Sequence, residues 1–127
     1  MADPRAGKPT YRTAATQAAY KAYIEAGELH NGCPLCRKTG SKILKEFTHW
    51  RIVSNDFPYD SITDTHHMLI TTEHKTEAEL SDEQLTELYE LKQGYLNDRY
   101  TFIAEALPGN KSIPPHHHLH LIVVKNL

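Results

Sequence analysis

The sequence predicts an α+β domain, an antiparallel sheet meander carrying one long helix and an N-terminal helix. Three observations lead there. Helical and strand-like stretches follow in the order helix, strand, strand, helix, strand, strand, which suits helices set apart from an antiparallel sheet. The stretch SDEQLTELYELKQGYLNDR opens on Ser81 with Gln84 three residues later, a capping-box helix start. The C-terminal stretch PPHHHLHLIVVKNL alternates in side-chain character and runs into the β-branched residues Ile122, Val123 and Val124, as a strand does.

Each element has its own signal. Residues 1 to 9 carry Pro4, Gly7 and Pro9 and read as a loose start. From about Thr10, YRTAATQAAYKAYIEAG sets Tyr20, Tyr23 and Ile24 on one stripe and ends at Gly27, a C′ residue for a helix. HNGCPLCRKTGS is a turn, and KILKEFTHWRIVSN a strand or hairpin arm around Phe47 to Val53. NDFPYDSITDT is a loop leading to the short strand HHMLIT, residues 66 to 71. Leu85, Leu88, Tyr89, Tyr95 and Leu96 give the long helix its apolar face, TFIAEA is a strand, PGNKSIPP a loop and the histidine row the last strand. There is no internal repeat. Residues 1–30 form an N-terminal extension with its helix, and 31–127 the body of a single domain.

With 39% hydrophobic and 24% charged residues the composition is that of an ordinary globular chain. No apolar run is long enough for a membrane span, and the N-terminal residues lack the apolar segment of a secretory signal, so the cytoplasm is the expected location. A net charge of −2 without runs of Lys or Arg argues against binding extended nucleic acid, though not against a small phosphorylated ligand.

On a strand, His116, His118 and His120 share one face while His117, Leu119, Leu121 and Val123 take the other. A purification tag would not be interrupted by Leu119 or continued by an aliphatic run. Three imidazoles in a row are costly to bury for packing alone, because each needs a donor and an acceptor met. The row therefore points to chemistry or metal. CPLC offers two thiolates in the knuckle spacing that structural zinc favours, and needs two more ligands. His30, His49, His66, His67, His74, His116 and His120 are candidates among which spacing does not choose; for His30 a loop and for His49 a strand position is the plainer reading. A redox dithiol fits less well, because Gly40 and Ser41 lead into a strand rather than a helix.

Together these residues resemble the histidine triad nucleotide hydrolases and transferases, whose signature alternates three histidines with apolar residues. His116, His118, His120, Leu119, Leu121 and Ile122 match it, with His117 in the first apolar slot. HHMLITTEH is similar to the family's second strand, SDEQLTELYEL to its long helix, and NDFPY to a nucleoside-binding stretch of the dinucleoside polyphosphate branch. The resemblance covers roughly residues 31 to 125 and implies a HIT-like fold. It also implies structural Zn2+ on Cys33, Cys36, His74 and His116. His118 becomes the nucleophile toward an α-phosphate, and His120 a hydrogen-bond donor to the phosphate and leaving group. Asn55 becomes a ribose contact, with Ser112 and Asn110 among the substrate-binding residues and Ile52, Phe57 and Leu69 as a base pocket if they are not simply core. The implied partners are a nucleotide substrate and a second copy of the chain. The chain runs only seven residues past His120, so the C-terminal tail with which many members select leaving groups is expected to be missing.

The function expected on this basis is a nucleotidyl hydrolase or transferase working through a nucleotidyl-histidine intermediate. The rival is a non-catalytic zinc-stabilised module that binds nucleotide or protein. It predicts metal and fold without turnover.

Overall fold

The computed structural model describes residues 10–126, so the loose start expected at 1–9 lies outside the described residues. The fold is α+β. Helices α1 (Ala14–Glu25), α2 (Asp82–Gln93) and α3 (Tyr95–Arg99) accompany strands β1 (Ile43–Glu46), β2 (Trp50–Ser54), β3 (Thr63–Thr71), β4 (Phe102–Ala104) and β5 (His118–Val124). All pairings are antiparallel, in the order β1-β2-β3-β5-β4. The first three strands make the meander, and β5 then enters between β3 and the three-residue β4. From His118 to Ile122 every residue of β5 is buried, as a strand covered on both faces requires. The short β4 leaves little open edge.

Thr13 caps α1, with its hydroxyl accepting from the Thr16 amide, and Gly27 just beyond the helix takes φ +80°, a conformation glycine adopts without strain. The capping box of α2 is formed in both directions: the Gln84 amide donates to Ser81 Oγ at 3.2 Å and the Ser81 amide to Gln84 Oε1 at 2.8 Å. The inner stripe of α2 is Gln84, Leu88 and Leu91, whereas Leu85 and Tyr89, expected on the apolar face, are exposed. Gln84 takes a core position because its own carbonyl receives the buried Trp50 indole N–H at 2.9 Å. The expected single long helix is broken at Gly94 (φ −123°, ψ −96°), which lets α3 turn Leu96 into the core.

One face of the sheet, with Trp50, Ile52, Leu69, Leu119 and Leu121, packs against Leu88, Leu91 and Leu96. Each buried leucine there contributes about 2 kcal/mol. The other face carries Val53, Met68 and Ile70 under Leu35. Register settles where the histidines go: Met68 pairs with His120 and Ile70 with His118, so both imidazoles lie on that second face. Ile52 and Leu69 are consequently core beneath α2 and not base pocket, because two-residue alternation points them away from His118.

Candidate functional site

Cys33 and Cys36 sit in the turn between α1 and β1, which is closed by the Arg37 amide donating to the Cys33 carbonyl at 3.3 Å. His74 follows β3 and His116 precedes β5. Antiparallel pairing places the end of β3 beside the start of β5, so the four side chains converge, with ligand atoms all within 4.8 Å of one another. Cys33 Sγ lies 3.5 Å from His116 Nδ1, Cys36 Sγ 3.4 Å from the same nitrogen and 3.3 Å from His74 Nδ1. The opposite nitrogen of His116, Nε2, is 2.9 Å from the Thr71 carbonyl. Its N–H donates there, leaving the Nδ1 lone pair facing the sulfurs. Loss of solvent around the sulfur, with the Cys33 sulfur beside it, pushes the Cys36 thiol up to about 11. A cation would favour the thiolate and reverse that shift. This Cys2His2 cluster can hold a metal ion. His30, His49, His66, His67 and His120 are not part of it.

Beside the cluster a solvent-open cleft is lined by His118 and His120. His118 Nδ1 lies 2.9 Å from the His116 carbonyl. The proton of a neutral His118 is thus held on Nδ1, and Nε2 is the basic nitrogen of a ring lining the cleft. A second chain of contacts fixes His120. The Tyr59 amide donates to His66 Nδ1 at 2.9 Å, so neutral His66 carries its proton on Nε2, 2.8 Å from His120 Nδ1. His66 donates and His120 accepts, which leaves His120 with an N–H on Nε2. One imidazole is set up as a base and its neighbour as a donor.

The remaining predicted residues also line the cleft: Asn55, Asn110, Ser112 and Phe57. Asn55 Oδ1 accepts from the Phe57 amide at 2.9 Å, while its Nδ2 is 3.2 and 3.4 Å from the two His66 nitrogens. The one in-plane lone pair of His66, on Nδ1, already accepts from the Tyr59 amide and Nε2 carries a proton, so the Asn55 amide packs against the ring rather than donating to it. Ser112 Oγ is 2.7 Å from the Tyr20 hydroxyl.

Sequence reasoning missed the wall built by the N-terminal segment. Tyr20 and Tyr23 of α1 pack against Phe57 at tilted angles, with centroids 5.0 and 4.9 Å apart. Arg12 donates from Nε to the Phe57 carbonyl at 2.8 Å and lies over the rings of Tyr20 and Tyr59, 4.2 and 5.0 Å from their centroids. Asp60 anchors the helix start by accepting from the Thr13 amide at 2.8 Å. The stripe of Tyr20 and Tyr23 was the available signal, but only folding shows that it faces NDFPY. Lys38 also reaches the cleft, buried at 5% exposure and paired to Asp56 at 3.0 Å. No family model matches the chain, and no curated protein matches it.

The buried imidazoles make stability depend on pH. Burial, then Arg12 and His67, pushes His66 down to about 4, while burial, then His66, His118 and Arg12, pushes His120 down to about 3. Unfolded imidazoles take up protons below about pH 6.5 and the folded ones do not, so stability present above that pH is lost as pH falls toward 4. The loss is roughly 2 kcal/mol per ring by pH 5. Urea denaturation at pH 7.5, 6.5 and 5 will show a steeper decline for the parent than for His66→Asn combined with His120→Asn; parallel declines would contradict this assignment.

Proposed function

We propose that the protein is a zinc-stabilised nucleotidyl hydrolase or transferase of the histidine triad kind, cleaving at the α-phosphate of a dinucleoside polyphosphate or nucleotide phosphoramidate and working as a homodimer. The observation that carries this reading is the pair of opposed tautomers in one cleft: His118 with a basic Nε2 and His120 with an Nε2–H. Burial keeps both rings neutral, since His118 is lowered from its ordinary value by burial and His120 more so.

Nε2 of His118 attacks the α-phosphorus, forming a P–N bond as the bond to the leaving group breaks. The N–H of His120 neutralises charge building on the phosphate and leaving-group oxygens, and the Ser112 hydroxyl, which lines the same cleft, is a second donor. Water or a second acceptor then attacks the nucleotidyl-histidine, restoring free imidazole. Tyr20, Tyr23 and Phe57 offer the aromatic wall a nucleobase stacks on. Zinc fits the Cys2His2 donors on two counts. Mixed thiolate and imidazole ligation is its usual environment, and bonds of about 2.3 Å to sulfur and 2.0 Å to nitrogen give tetrahedral S···N edges of about 3.5 Å, near the separations observed. Bound there, the ion supplies structure only, holding His116 and through its carbonyl the Nδ1–H of His118.

Intact-protein mass spectrometry after brief incubation with adenine and guanine nucleotides tests the proposal. The parent chain should gain the mass of one nucleoside monophosphate or release product, and folded, metal-loaded His118→Gly should do neither. Nucleotide binding with no adduct and no product in the parent would leave a binding module instead.

A further inference from the structure

His117 has no place in the cleft or in the Cys2His2 cluster, yet it is only 3% exposed. Its Nδ1 is buried with no hydrogen-bond partner among the described residues. We propose that His117, Glu77 and Glu105 form a second metal site, for a divalent first-row transition ion held by two carboxylates and one imidazole.

The three side chains come from separate parts of the chain. Glu77 opens a short 3₁₀ turn after β3, Glu105 directly follows β4, and His117 immediately precedes β5. A ring nitrogen of His117 and one carboxylate oxygen from each glutamate lie within 4.8 Å of one another. The His117 ring is held in place: its amide donates to the Lys75 carbonyl at 2.7 Å, and its edge meets Trp50 with centroids 5.9 Å apart. A buried imidazole nitrogen without a partner costs about 1–3 kcal/mol, so a position kept in this state calls for a ligand. The slot is one where the alternating pattern of β5 supplies leucine at the next two equivalent positions, Leu119 and Leu121.

Charge points the same way. Lys111 Nζ lies 3.7 Å from Glu105, the one ion pair among the described residues that reaches this cluster. One ammonium against two carboxylates leaves a net −1 beside a neutral imidazole. Burial and the adjacent Glu77 carboxyl raise Glu105 above its ordinary value, the mark of carboxyls crowding one another. A divalent ion bound by one ring nitrogen would balance both carboxylates and give the buried imidazole a partner. Both glutamates are exposed, so water completes the coordination from outside, and the absence of sulfur suits manganese- or iron-type ions as well as zinc. Adjacent residues at the start of β5 would then be held by two ions, His116 by one and His117 by the other.

Manganese is the probe. Protein loaded with one equivalent of zinc is titrated with Mn2+, and bound ion is counted from the loss of the free Mn2+ paramagnetic resonance signal. One Mn2+ per chain is expected, with zinc retained. His117→Phe and Glu105→Gln should each weaken Mn2+ binding on the order of 10- to 100-fold or more while zinc content is unchanged. Glu105→Gln is exposed and nearly isosteric, so it decides the matter if His117→Phe does not fold. No Mn2+ bound across a millimolar range would overturn the site and leave Lys111 and a shared proton as the balance of the two glutamates. Binding that both substitutions leave intact would overturn it equally.

Discussion

His118→Gly is expected to lower kcat/KM by on the order of 10^4-fold or more for whichever nucleotide forms the adduct. That corresponds to about 5.5 kcal/mol of transition-state stabilisation. On the proposed mechanism the size follows from the role of the ring: without it no covalent intermediate would form, and the donor on His120 would face a substrate with no nucleophile opposite. Nucleotide affinity should change little, because the aromatic wall of Tyr20, Tyr23 and Phe57 does not depend on His118. His118 is 6% exposed at the boundary of cleft and sheet, so the variant must be shown to melt near the parent temperature before its rate is read. A variant that turns over within tenfold of the parent would remove His118 from the chemistry. Loss of affinity equal to the loss of rate would make it a binding residue only.

Removal of metal is expected to have the largest effect on stability. Structural zinc contributes on the order of 10 kcal/mol of binding free energy where it organises a small domain. This chain has its own two-sided core, so part of its stability will persist without the ion. A loss of about 3 kcal/mol or more translates into a fall in Tm on the order of 10 °C. Chelation of the parent and the substitution Cys36→Ser should give the same fall, and they should not add. Activity should fall with them, because releasing His116 frees the carbonyl that holds Nδ1–H of His118 at 2.9 Å. A protein verified as metal-free that melts within about 2 °C of the loaded form would show that the cluster is not a structural clamp.

Much of this architecture is written locally. The capping box at Ser81 and Gln84, the glycine stop at Gly27 and the alternation from His118 to Val124 each depend on neighbours within a few positions, and each is formed as read. The pairing of Cys33 and Cys36 is likewise local. Their two partners are not, since nothing in spacing separates His74 and His116 from five other histidines. Resemblance supplied that choice, and the geometry brings the same four together because β3 ends where β5 begins.

What the sequence determined by itself was the set of elements and the face each residue occupies within its own strand, because period-two and period-3.6 patterns are properties of a short stretch. Tertiary structure alone decided which faces meet. It put β5 between β3 and β4, sent Ile52 and Leu69 beneath α2, and drew Tyr20, Tyr23 and Arg12 over the cleft from a segment that reads as an appendage. It also fixed the proton positions of His66, His118 and His120, which depend on a backbone amide or carbonyl or on the ring of another strand. Such partners are set by strand register and chain path, and those follow from burying the whole apolar surface at once.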